Sequence, residues 1–305
     1  VWDLLRDTDP YYLNHQIILV DFTAIDENRE KFAEAGKPKP SYVAYAIYAL
    51  TRVLPHYPVF NAYLREWPLC RMAFYKNIDV AYTLEKEGPG GKQILTLAML
   101  RNSENLSFEE FLKLFNEQKN SKLDELDYTR IYSVFSLIPT FLRTTLFRIF
   151  CKPFPKIMRS IAGTVAFTSV GKHGVDFTTP LSPKSLTVSL GAVKKRATVF
   201  ENDVLPRQSA YITLTYDHRV ADGSECASLA NKLRLFMEEE ISSIRPENVY
   251  VSPDIDAVTN MDAATNMDAA TNMDAVTNMD AVTNMDAVTN MDAATNIDVS
   301  QKLDV

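Results

Sequence analysis

The chain has 305 residues, 46% apolar and 10% aromatic, enough to bury a sizeable core. Its net charge of −7 belongs to the tail: residues 254–305 hold ten Asp and one Lys, so the body up to residue 253 carries +2. A near-neutral body excludes nucleic acid as the main partner, and no run of about 18 uncharged apolar residues predicts a membrane span.

In chain order, residues 13–24 (His15-Gln16-Ile17-Ile18-Leu19-Val20-Asp21-Phe22) read as a strand. A charged helix follows through Glu27–Phe32. Ser41 is placed to cap an apolar helix from Tyr42 to about Val53, which Pro55 and Pro58 end. Strands are predicted over 68–75, 77–84 and 92–100, the last two joined by the turn Gly88-Pro89-Gly90-Gly91. Ser107 and Glu110 have the spacing of a capping box and open another helix. Further strands are predicted over 164–170, 186–193 and 208–216, and a helix over 224–240 with Cys226, Leu229, Ala230, Leu233 and Phe236 on one face. This alternation predicts one α/β domain, a mixed sheet with packed helices, over 1–250.

Two segments depart from that rhythm. Residues 128–159 mix many large apolar residues with Arg130, Arg143, Arg148, Lys152, Lys156 and Arg159. Such a basic amphipathic stretch can lie in a membrane interface. The reading preferred from the sequence is an inserted helix that covers the core or an oligomer contact, because Pro139 interrupts the period. From Thr259 the hexad Thr-Asn-Met-Asp-Ala-Ala/Val runs seven times, the last copy degenerating to Thr-Asn-Ile-Asp-Val-Ser. Each copy offers too little bulk for a β-helix, so 251–305 is expected to be a low-complexity, disordered tail.

The chemistry concentrates in Tyr216-Asp217-His218-Arg219-Val220-Ala221-Asp222-Gly223. A β-run delivers His218 into a loop before a helix, giving a base a rigid support and an open approach. His15, His56 and His173 lack such company and read as structural. Cys226 reads as a core cysteine rather than a partner of His218. Cys70, Cys151 and Cys226 show neither zinc spacing nor a disulfide framework, so a reducing cytoplasm is the expected location and no metal is expected. The early charges Asp3, Arg6, Asp7 and Asp9 are unlike a signal peptide.

His-x-x-x-Asp-Gly after Leu-Thr-Tyr-Asp resembles the catalytic domain of the acyltransferase subunits of 2-oxo-acid dehydrogenase complexes, and chloramphenicol acetyltransferase, which shares that fold. Gly163-Thr164-Val165-Ala166-Phe167-Thr168-Ser169-Val170-Gly171, Phe177-Thr178-Thr179-Pro180 and Leu186–Gly191 follow in the family's order. The likeness covers about 10–245 and is strongest over 163–241. It implies a chloramphenicol acetyltransferase-like two-layer sandwich that moves an acyl group directly between a coenzyme A thioester and a thiol or hydroxyl. His218 would be the general base. Thr168 would be the oxyanion donor, with Ser169 as the alternate, although Thr168 as a strand residue needs no role at all. Asp222 would pair with Arg29 in a salt bridge that holds the histidine loop.

The resemblance further implies a homotrimer or a multiple of trimers, with acyl-CoA as substrate and a small-molecule or lipoyl acceptor. No lipoyl attachment site is recognised in this chain. Two other readings accompany the enzyme: a scaffold protein that keeps the fold without turnover, and a peripheral membrane acyltransferase that touches lipid through 128–159.

Overall fold

The structure, a computed structural model, describes residues 12–65, 69–126, 129, 138–200 and 202–245. The predicted repeat tail and the N-terminal part of the 128–159 segment lie outside them.

Strand β1 (Leu13–Asp21) leads into α1 (Thr23–Glu34), which begins earlier than the sequence predicted. Helix α2 (Tyr42–Val53) carries apolar residues almost all round and is buried along most of its length. Ser41 caps it, its hydroxyl accepting the Ala44 N–H at 3.2 Å. A hairpin of β2 (Ala62–Arg65) and β3 (Arg71–Phe74) stands apart from the main sheet, and β2 had no counterpart among the predicted strands. Next come β4 (Val80–Glu87) and β5 (Gln93–Leu100), paired through the glycine turn, and α3 (Phe108–Asn120) with the capping box of Ser107 and Glu110.

The described part of the inserted segment forms α4 (Thr140–Leu146), which runs through a wider turn at Phe147–Cys151, and then α5 (Pro155–Ala162). The chain closes with β6 (Val165–Ser169), β7 (Leu186–Leu190), β8 (Lys194–Phe200), the long β9 (Asp203–Asp217) and α6 (Gly223–Glu238). Strand β8, also missed from sequence, pairs with the first half of β9.

The main sheet has the order β1-β9-β7-β6-β4-β5. It is mixed: β6 lies parallel to both β4 and β7, and the other pairs are antiparallel. Alternation along the strands makes two unlike faces. Val80, Tyr82, Val165, Phe167, Val188, Ile212, Leu214 and Tyr216 point to one side and are fully buried with the helices. The other side carries Thr83, Thr168, Thr187, Ser189, Thr213 and Thr215 in neighbouring register. Over it lies the loop 171–184, with Phe177 edge-on to Tyr211 and Ala192 N–H donating to Val175 O at 2.8 Å. The loop sits so close that a Cβ at Gly191 would fall 1.7 Å from Asp176 O, so only glycine fits there.

Two buried polar knots fix the ends of the layers. Asn28 donates to Ile244 O and accepts from Tyr45 OH at 2.6 Å, tying α1 to the end of the domain. Asp79, 1% exposed, is gripped by Arg159 through Nε at 2.8 Å and Nη2 at 3.0 Å. Its carbonyl accepts the Thr164 N–H at 2.7 Å, which sets β6 beside β4.

Candidate active site

His218 stands one residue past the end of β9, and three contacts place it. Its own N–H donates to Tyr12 O at 2.7 Å. Asp217, mostly buried, accepts from the backbone N–H of Arg219 at 2.9 Å and from its guanidinium at 2.6 Å. That guanidinium lies 4.4 Å over the Tyr12 ring. The loop is therefore clamped by Asp217, Arg219 and Tyr12, residues to which sequence reasoning gave no such part. The imidazole itself is exposed, near the Tyr216 ring with centroids 6.0 Å apart, and neither ring nitrogen is hydrogen-bonded to a described residue. It can meet a substrate proton without first breaking an internal bond.

The structure corrects the expected pairing of Asp222 with Arg29. Asp222 is the N-cap of α6: one carboxylate oxygen accepts from Ser224 N–H at 2.9 Å, Ser224 Oγ at 2.8 Å and Glu225 N–H at 2.9 Å. The Glu225 amide, then the Ser224 hydroxyl and amide and the nearby His218, hold its pKa below the ordinary carboxylate value. Arg29 instead bridges to Asp26 at 3.1 Å, donates to Pro40 O at 2.9 Å and stacks 4.1 Å over Tyr42. Asp222 supports His218 by starting the helix that follows it. The Asp-x-x-Glu spacing at 222–225 is a capping-box signal the sequence already contained.

Thr168 and Ser169 fall on opposite faces of β6. Ser169 Oγ donates to Leu190 O at 3.0 Å across to β7. Thr168 faces the hydroxyl side, 3.0 Å from Thr83 Oγ1. It borders a cavity of about 210 Å3 that is apolar except for Thr83, Thr168, Ser182, Lys184 and Thr187. At the rim Lys184 Nζ donates to Gly163 O at 2.5 Å, and burial pushes its pKa down to about 7 against the opposing pull of Asp79. No carboxylate among the described residues pairs with it.

Thr168 and His218 do not meet within one chain. Thr168 is level with Ser189 of β7 and Thr213 of β9. His218 lies five residues further along and two strands across. At about 3.3 Å per residue and 4.8 Å per strand, that is roughly 15–20 Å.

His15 Nδ1 is 2.8 Å from Thr215 Oγ1, and His173 pairs with Glu85 at 3.1 Å. Cys226 is fully buried in the core, and burial pushes its pKa up to about 12, so it is no nucleophile. Among the described residues no group of three or more His, Cys, Asp or Glu is placed to hold a metal, and no helix is long and apolar enough to cross a membrane.

The two-layer mixed α/β fold is similar to that of solved structures. The cubic core of the pyruvate dehydrogenase multienzyme complex matches with TM-score 0.56 at 18% identity, covering 78% of this chain and 86% of that one. A dihydrolipoamide acetyltransferase from Azotobacter vinelandii, studied for the roles of a serine, a histidine and an asparagine in its catalytic mechanism, matches with TM-score 0.54 at 18% identity, covering 77% and 84%. Residues 160–244 match the family model for the catalytic domain of 2-oxoacid dehydrogenase acyltransferases. A curated relative is the dihydrolipoyllysine-residue succinyltransferase component of the 2-oxoglutarate dehydrogenase complex of Buchnera aphidicola subsp. Baizongia pistaciae, 24% identical over 230 residues, 72% of this chain. The chain spans 46% of that relative's length.

Proposed function

We propose that the protein is a CoA-dependent acyltransferase that passes an acyl group directly between a CoA thioester and a thiol or hydroxyl acceptor. The observation that carries this reading is His218: an exposed imidazole at the end of a clamped strand, with both ring nitrogens open to a ligand. In the reaction His218 takes the acceptor's proton as its sulfur or oxygen attacks the thioester carbonyl. The oxyanion accepts a hydrogen bond from Thr168 Oγ1. Collapse breaks the C–S bond, and the CoA thiolate leaves with the proton held on His218. The apolar cavity beside Thr168 suits an uncharged acyl group.

On this reading Thr168 and His218, too far apart to meet within one chain, belong to different copies of the chain, with the site completed between them. That reading is supported by the likeness to the core of a multienzyme complex, and a trimer or a multiple of trimers is the assembly we expect. A lipoyl group supplied by another polypeptide is a fitting acceptor, given the dihydrolipoyllysine-residue transferases among the relatives, and the cytoplasm is the proposed location.

Turnover of acetyl-CoA with dihydrolipoamide tests the activity. His218→Ala should lose about 10²–10⁴-fold in rate with melting temperature retained. Thr168→Ala should lose about 10²–10³-fold. Co-refolding the two inactive variants should restore part of the turnover, because some interfaces then hold an intact His218 opposite an intact Thr168. Wild-type rates in His218→Ala would end the mechanism, and mixed oligomers without restored activity would end the shared site.

A further inference from the structure

The acyltransferase reading sets a thioester carbonyl at Thr168, and the cavity of about 210 Å3 beside that residue then receives what the carbonyl carries. Its floor is Ala81 and Thr83 of β4 with Ala166 and Thr168 of β6, and Leu97 of β5 and Leu181 of the covering loop add apolar walls. It reaches back to Ala162, the last residue of α5, and to Lys184. Gly163, which receives the Lys184 amine, stands five residues before Thr168, roughly 16 Å along an extended chain. That is the outline of a slot for a linear group. Three alanines border it, and Ala81 and Ala162 are each 3% exposed. Larger side chains there would gain packing contacts that alanine gives up, so keeping the room open costs stability.

The polar atoms along the slot are already matched within the protein. Thr83 and Thr168 share a hydrogen bond at 3.0 Å, Ser182 bonds to Thr187, and Lys184 Nζ donates to Gly163 O at 2.5 Å. With Thr83 as the donor of the first pair, Thr168 keeps its own proton for the oxyanion. A charged or hydroxylated tail would give up water for side chains that already have partners. A hydrocarbon tail gains by the same move. An apolar cavity of about 150 Å3 holds a six-carbon ring, so one of about 210 Å3 holds roughly eight carbons.

We propose that this slot, on the acyltransferase reading from which it follows, selects straight, uncharged acyl chains of about six to eight carbons, with Ala166 and Leu97 setting how much chain fits. The carbonyl stays at Thr168, and the tail runs back along β6 toward Ala162.

Initial rates with a series of straight-chain acyl-CoAs and dihydrolipoamide test this. From butyryl-CoA to octanoyl-CoA, kcat/KM should rise about fourfold for each added methylene, then fall beyond about ten carbons. Ala166→Leu puts an isopropyl group into the slot and should move the optimum to about five carbons. Leu97→Ala takes one away and should move it to about eleven carbons. A general loss of stability does not produce shifts of opposite sign. Should Ala166→Leu fail to fold, Leu97→Ala decides alone. Rates that are flat with chain length, or highest with acetyl-CoA, overturn the inference and leave the acyltransferase reading standing. So does an optimum that neither variant moves, or a better rate with suberyl-CoA, whose chain ends in a carboxylate. Affinity that strengthens with chain length, in a protein that turns over none of the series, keeps the slot's selectivity and ends the acyltransferase reading.

Discussion

The two faces of the main sheet are made by the same strands and obey opposite rules. On the helix side the central strands bury mainly aliphatic and aromatic residues, and Phe167 and Tyr216 are each 2% exposed. On the loop side stand Thr83, Thr168, Thr187, Ser189, Thr213 and Thr215, and two buried hydroxyls there, Ser189 Oγ and Thr213 Oγ1, have no partner among the described residues. A buried hydroxyl without a partner destabilises the fold. One face thus carries the stability, and the other keeps a polar lining that stability does not call for, beside the cavity bordered by Thr168.

Substitutions can break or sharpen that contrast. The largest effect belongs to the helix face: Phe167→Ala should destabilise by about 3–5 kcal/mol in chemical denaturation, by lost burial and the cavity left behind. Thr213→Val on the other face conserves shape and removes an orphan hydroxyl. It should change stability by less than about 1 kcal/mol, in the stabilising direction. A loss comparable to that of Phe167→Ala would mean that the hydroxyl face is structural after all.

Lys184 gives the contrast a pH dependence. Its pKa in the folded chain is lowered to about 7 from an ordinary 10.5, so above pH 7 the unfolded chain binds the additional proton. Stability contributed at this site therefore rises with pH from about 7 to 10.5 and is level below and above that window. Lys184→Met should flatten the rise and stabilise the protein at pH 7, as read from melting temperature across the range. An unchanged slope would show that the amine is well solvated. The smallest effect is a null coupling. Asp222→Ala and Arg29→Ala should add in a double-mutant cycle, because each side chain has its own partners. Strong non-additivity would restore the salt bridge that the geometry lacks.

Much of the architecture was legible because it is written locally. The Ser41 cap and the Ser107–Glu110 box rest on neighbours three residues apart, and the α2 boundaries Tyr42–Val53 followed directly. The position of His218 after a β-run was legible for the same reason. Strand β2 was missed because only four residues pair, away from the main sheet. Strand β8 is Lys- and Arg-rich at its start and lacks a clear alternation. The partnership of Asp222 with Arg29 joined residues 193 positions apart, and no spacing rule reaches that far. The local reading of 222–225 as a cap was the better guide. The clamp on His218 eluded the sequence because its third member, Tyr12, lies at the other end of the domain.

That last contact carries a consequence in time. Strand β1 pairs with β9 in the register Leu13↔Asp217 to Asp21↔Ser209, so β1 must wait for a strand made roughly 200 residues later. At about 5–20 residues per second, roughly 200 intervening residues delay the pairing by about 10–40 s. During that interval Ile17, Leu19 and the whole unpaired edge of β1 are open to other chains. The histidine loop, whose amide rests on Tyr12, is among the last features to form, so nascent chains stalled before residue 218 have no site, however much of their sheet is already in place.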